Sequence, residues 1–147
     1  MSGDWDVWAA VEARDGLVFG TAPLPEVTGG GLFWPADPAV IVIDDRLEEP
    51  ERREVLAHEL VHHERGSVRH AGQSGEWHVV VAREEGAVND EVARRLVPRS
   101  QLIEHVRGQM ALGEGTSPVE VAETFAVSPR LARRALALLY QETDGRL

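Results

Sequence analysis

The sequence predicts an α+β protein: a small mixed or antiparallel sheet packed on a helix that carries the reactive residues, followed by a C-terminal helical segment. Three observations carry this prediction. β-Branched and aromatic residues gather in short runs before Asp44. After it, apolar residues recur three and four apart, as one face of a helix requires. Two Ser-Pro pairs, Ser117-Pro118 and Ser128-Pro129, then open helices near the end of the chain.

In chain order, residues 4–13 fit either a short helix or a short strand. Leu17-Val18-Phe19 is apolar and β-prone, and Pro23 and Pro25 break the run. Gly29-Gly30-Gly31 marks a turn or a close backbone approach. Leu32-Phe33-Trp34 and Ala39-Val40-Ile41-Val42-Ile43, separated by residues 35–38, read as a hairpin, so the first half is a small antiparallel sheet. Glu49-Pro50-Glu51 is a good helix start, with proline tolerated in the first turn and acids favoured there by the dipole. Val55, Leu56, Leu60 and Val61 give that helix an apolar face, and Gly66 ends it, so it spans residues 50–65. Residues 67–75 read as a loop and 77–81 as a short strand. Helices follow over 84–97, ending at Pro98, and over 100–110. The last two cover 119–126 and the stretch from Ser128, where Leu131, Ala135, Leu138 and Leu139 are spaced for burial. The division expected is a core over 1–112 and a small helix-turn-helix-like segment over 113–147, packed on that core.

Bulk properties narrow the chemistry. At 147 residues the chain fits one domain and can bury roughly two-thirds of its unfolded surface, so it needs no staples. It has no cysteine, which removes disulfides, thiolate metal sites and cysteine nucleophiles together. The start is polar and acidic, unlike a signal peptide, and the longest apolar run falls far short of the ~20 residues a membrane span needs. A cytoplasmic protein is expected. Against 15 Lys and Arg stand 25 Asp and Glu, a formal net charge of −10. Such a surface is poor at neutralising phosphates, so direct nucleic-acid binding is not expected.

The informative residues are His58-Glu59-Leu60-Val61-His62. On a helix, positions i and i+4 lie within ~40° of each other, so both imidazoles can converge on one tetrahedral ion. Glu59 sits ~100° around, where its carboxylate can reach a water at that ion without being a ligand. That is the HExxH arrangement of zinc hydrolases, in which the ion acidifies water and polarises a carbonyl while the acid takes the proton. The pattern alone arises by chance in a few per cent of chains this long, and the bland reading is a solvated, His-rich helix end. Its place within a partly apolar helix that follows a β-rich half favours the metal. A third ligand is needed. His63 points ~100° away from His62, and the spacing HExxHxxGxxH is not met, since Gly66 falls one place late. His70, His78 and a downstream carboxylate remain. Glu85 and Asn89 share one face of the next helix, so Glu85 can ligate while Asn89 hydrogen-bonds the far nitrogen of a ligand histidine. Glu84 is the alternative to Glu85, and both are also plain helix-start acids. Zinc is the expected ion, one per chain; histidine and carboxylate ligands also suit manganese, cobalt or iron.

Several segments together resemble the ImmA/IrrE family of metallopeptidases: Ile41 to Leu47, then Arg53 to His63, then Glu85 to Pro98 with Glu85, Asn89, Ala93, Leu96 and Pro98, and finally Val121 to Ser128. The likeness runs from about Leu17 to Leu139. It implies a zincin-like, thermolysin-like (gluzincin) fold with His58, His62 and Glu85 as ligands and Glu59 as catalytic base. It also implies cleavage of a helix-turn-helix repressor or antitoxin. Two departures stand out: Asn89 occupies a place where relatives can carry aspartate, and no counterpart of the larger relatives' sensor domain follows the helical segment. Under this reading Val40–Ile43 offers an edge along which a substrate peptide adds as a strand. The competing reading is a non-catalytic zinc-containing module that binds a regulator or toxin partner.

The remaining features are weaker. His70, His78 and His105 could stabilise an oxyanion but are more simply surface or loop histidines. Trp5, Trp8, Trp34 and Trp77 are read as core or cleft-lining aromatics. Arg130, Arg133 and Arg134 would give the last helix a basic face, but residues 116–147 carry four basic and four acidic side chains, a local charge of zero.

Overall fold

The computed structural model describes residues 5–66, 76–144 and 146, with 76–83 as backbone alone. It is α+β, with six helices and one three-stranded sheet among these residues. The chain divides into two compact units, one of Asp6–Asn89 and the other of Met1–Trp5 with Asp90–Leu147.

The first unit opens with helix α1 (Val7–Ala13), which settles the ambiguous start. Asp6 caps it, accepting from the Ala9 amide at 3.0 Å, and Val7 and Val11 on one face are buried. Strand β1 (Leu17–Ala22) follows, then a short 3₁₀ turn and Gly29 and Gly30, both at positive φ. Strands β2 (Gly31–Trp34) and β3 (Ala39–Asp44) form the expected antiparallel hairpin, with Gly31 opposite Ile43. The sheet as a whole is mixed, not antiparallel. β1 runs parallel to β3, Leu17 opposite Ala39, and the order is β1-β3-β2. The chain leaves β1, places β2 at the far side and returns to fill the middle. Local hairpin signals cannot reveal that crossover. It also corrects the expectation for Val40–Ile43, which is interior and paired on both sides.

Along β3, Ala39, Ile41 and Ile43 are buried while Val40 and Val42 are only partly so. The alternation is that of a sheet with one face against the core. Helix α2 (Glu51–Glu64) packs on β2, β3 and α1. Glu51 and Glu54 lie in its first turn, where the dipole favours them, and Gly66 at positive φ ends it. Leu56, Ala57, Leu60 and Val61 are essentially fully buried. Each of the larger three contributes roughly 1.5–3 kcal/mol by leaving water.

Helix α3 (Glu76–Leu96) begins eight positions earlier than the sequence suggests and absorbs the strand expected over 77–81. The β-branched run Val79-Val80-Val81 is followed directly by good helix formers, Ala82 to Glu85, and propensity is a weak preference that context overrides. The loop expected over 67–75 lies outside the described residues. The second unit takes the end of α3 with α4 (Arg99–Ala111), α5 (Pro118–Phe125) and α6 (Pro129–Thr143). Ser117 and Ser128 cap the last two, accepting from the Glu120 and Leu131 amides at 3.2 Å, with proline in the first turn of each. Val121, Phe125, Leu131, Ala135 and Leu139 are buried. Among the described residues no helix is long and apolar enough to cross a membrane.

Candidate metal centre

Helical spacing creates the centre. His58 and His62, one turn apart on α2, turn their Nε2 atoms to within 3.1 Å of each other. Glu85 on α3 closes the group, with Oε2 at 3.0 Å from His58 Nε2 and Oε1 at 2.6 Å from His62 Nε2. One ligand atom from each of the three lies within 4.8 Å of the others. These distances test whether a metal fits. A tetrahedral ion with bonds of about 2.0–2.1 Å holds its donors roughly 3.3 Å apart. The observed spacings are of that size, and two imidazoles with one carboxylate are a donor set that suits divalent metals. The residues present fit a divalent ion.

Asn89, one turn after Glu85, places Oδ1 2.9 Å from His58 Nδ1. A carbonyl oxygen only accepts, so His58 donates from Nδ1 and turns Nε2 toward the cluster. Glu84 sits elsewhere, with Oε1 3.8 Å from His62 Nδ1 and 3.9 Å from Arg65 Nε. It faces the nitrogen of His62 that points away from Glu85, so of the two acids it is Glu85 that meets both Nε2 atoms.

The electrostatics favour a cation here. Hydrogen bonds donated by His58 and then His62 hold the Glu85 carboxyl far below the usual range, against the opposing effect of burial. Burial pulls His58 down, but the Glu85 hydrogen bond, the charges of Glu59 and Glu85 and the Asn89 contact outweigh it, and the net shift is upward. Protons and a metal ion are alternative occupants of one negative spot.

Glu59 is 7% exposed, an unusual burial for a carboxylate. Its position is set from the sheet side. A Cβ on Gly31 would meet Glu59 Oε1 at 3.0 Å, so the start of β2 lies directly against this side chain. Two positions on, Phe33 stacks on the His62 ring at 6.3 Å and meets His63 edge-on at 6.0 Å. His63 accepts a 2.6 Å hydrogen bond from Arg14 Nε at its Nδ1; burial and that guanidinium lower its pKa. Gly31, Phe33 and Arg14 escape a motif search because each reaches α2 across the fold. The one clue is that Gly31 and Phe33 are two apart in a strand and so share a face.

Of the other histidines, His70 and the side chain of His78 lie outside the described residues. His105 belongs to the second unit, beside Phe125 at 6.2 Å. The tryptophans are not uniformly interior: Trp8 is half-buried beneath Arg52 and beside Phe19, whereas Trp34 is 58% exposed.

Comparison with known proteins agrees with the motif reading. The peptidase family described as the IrrE N-terminal-like domain matches residues 13–137. No curated protein matches the chain. A match across that much of the chain, with His58, His62 and Glu85 drawn together inside it, shows that the chain belongs to the ImmA/IrrE peptidase family.

Proposed function

We propose that the chain is a zinc-dependent endopeptidase of the cytoplasm that cuts a specific protein, a helix-turn-helix repressor or an antitoxin. The observation that carries this reading is the convergence of His58, His62 and Glu85 beside the buried carboxylate of Glu59. A binding module with a purely structural metal has no need for an acid in that place, and Glu59 therefore favours catalysis over simple association.

A zinc ion at these three ligands supplies a Lewis acid that polarises a peptide carbonyl and acidifies water. The protein's own groups do the rest. Asn89 fixes the His58 ring by its hydrogen bond. Glu85 supplies negative charge and keeps both Nε2 atoms aimed at one point. Glu59 accepts a proton from the attacking water and returns it to the leaving amine, and its burial strengthens each of those hydrogen bonds. Manganese, cobalt or iron would be held by the same ligands.

With β3 enclosed, the sheet edge beside α2 among the described residues is β2. The Asp44 amide bonds the Gly30 carbonyl at 2.7 Å, and alternation along an antiparallel ladder then turns the amide and carbonyl groups of Gly31 and Phe33 outward. A substrate segment in extended form pairs there, beside the ligand histidines.

Metal analysis of the purified protein tests the first half of this reading. Wild type is expected to hold one zinc per chain and His58→Ala none; a wild type free of metal after zinc loading would overturn it. Incubation with the products of adjacent genes tests the second half. Cleavage is expected from wild type and not from Glu59→Gln, and a Glu59→Gln protein that still cuts would remove Glu59 from its role.

A further inference from the structure

Three consecutive glycines stand at 29–31, and they are glycine for different reasons. Gly29 and Gly30 adopt φ of 68° and 97°, a region that favours glycine over any residue with a Cβ. Gly31 is outside that region, the first residue of a regular strand, and buried. What forbids a side chain there is space alone. A Cβ would sit 2.6 Å from Val55 Cγ1, 3.0 Å from Glu59 Oε1 and 3.3 Å from Glu59 Cγ. Val55 is β-branched and on a helix, where essentially one rotamer is open to it, so it cannot swing aside. Glu59 has the flexible end that can yield.

We infer that Gly31 is a positioning residue for Glu59: its bare backbone is the wall against which the carboxylate is seated beside His58 and His62. The inference rests on the proposed role of Glu59 and extends it to a residue of the sheet. Even a methyl group at position 31 presses on the Glu59 side chain at 3.0 Å and displaces its carboxylate by a few tenths of an ångström. The three atoms nearest to that Cβ belong to Val55 and Glu59, whereas the metal ligands stand on other faces of α2 and on α3. Gly31 therefore governs the base and leaves ligation alone. The same close contact gives β2 its approach to α2, so fold and base position must be separated by experiment.

The separation uses Val55→Ala, which removes the Cγ1 atom that a new Cβ would strike and leaves the contact with Glu59. Gly31→Ala is made in that background, so that the strand can stay in place if Gly31→Ala alone does not fold. Each protein is loaded with cobalt(II), whose visible absorption reports occupancy by two histidines and a carboxylate, and is then titrated with acetohydroxamate. This probe chelates the metal and needs a carboxylate at the right distance to accept the hydrogen bond of its hydroxyl. The double variant is expected to match Val55→Ala in cobalt affinity and melting temperature and to bind acetohydroxamate about tenfold more weakly, as the loss of one charged hydrogen bond would give. Unchanged acetohydroxamate affinity overturns the inference and leaves the metal reading standing. Parallel loss of cobalt affinity also overturns it, because Gly31 would then serve the fold. A wild type that binds no cobalt overturns both.

Discussion

At the scale of single residues, the centre divides into side chains that helical spacing announces and side chains that only the fold supplies. His58, Glu59 and His62 follow from one turn of helix, and Glu85 and Asn89 from the same rule on the next. Gly31, Phe33 and Arg14 carry no such signature, since nothing in a linear pattern says which strand will cross α2. Asn89→Ala leaves His58 Nδ1 without its 2.9 Å partner and should weaken zinc affinity about 10–100-fold, read by competition with a chelating dye. Asn89→Asp keeps the geometry, adds charge and should tighten it. The ionisation of the cluster gives a second prediction, for protein stripped of metal. The Glu85 pKa is lowered, so its contribution to stability is present above the ordinary value of 4.5 and is lost as pH falls toward the folded value. The His58 pKa is raised, so its contribution is present below the ordinary value of 6.5 and is lost as pH rises through the folded value. Both hold between those limits, and the thermal midpoint of the stripped protein should peak there. Equal stability of the stripped Glu85→Gln protein across that window and on both sides of it, with wild type behaving the same, would show that the cluster contributes nothing.

At the scale of elements, the helices were legible because their start and stop chemistry is local: Ser117-Pro118, Ser128-Pro129 and Gly66 mark ends that the structure places within a residue or two. The residues of β1, β2 and β3 were legible too, but their arrangement was not. Parallel pairing of β1 with β3 depends on where the connection passes, which no dipeptide encodes. Residues 77–81 failed for the opposite reason, a β-rich local run carried along by the helix that continues from it. The strand order changes what Val42→Pro should do. In an edge strand it would disturb substrate pairing alone. In the interior strand it removes a ladder hydrogen bond and should destabilise the sheet by about 1–3 kcal/mol, the cost of a buried group left unpaired, seen as a fall in melting temperature before any question of cleavage.

At the scale of the molecule, the family match over 13–137 covers nearly the same stretch as the motifs, so the likeness was legible at its full extent. The zero local charge of residues 116–147 was legible as well. Arg134 is held by Asp90 at 2.7 Å, and Arg94 and Arg99 share Glu142 at 3.1 and 3.7 Å, so the arginines around α6 are partly engaged. With a net charge of −10, the protein should show no affinity for duplex DNA in a gel-shift at physiological salt; a shift that weakens steeply with added salt would contradict this. Binding of an ion by the folded state alone should also raise stability by about 2.7 kcal/mol when free zinc is a hundredfold above its dissociation constant, and a chelator should reverse the gain.

The brevity of β2 bears on how such a protein can choose its victim. Four residues make up that border, and two of them face outward with an amide and a carbonyl each. Four backbone bonds at about 1 kcal/mol apiece give a millimolar grip, enough to orient a chain and far too little to single out one protein in a cell. If the chain cuts one protein, as proposed, discrimination comes from surface beyond this strand, so an intact folded target should be cut where a short peptide bearing the same scissile sequence is not.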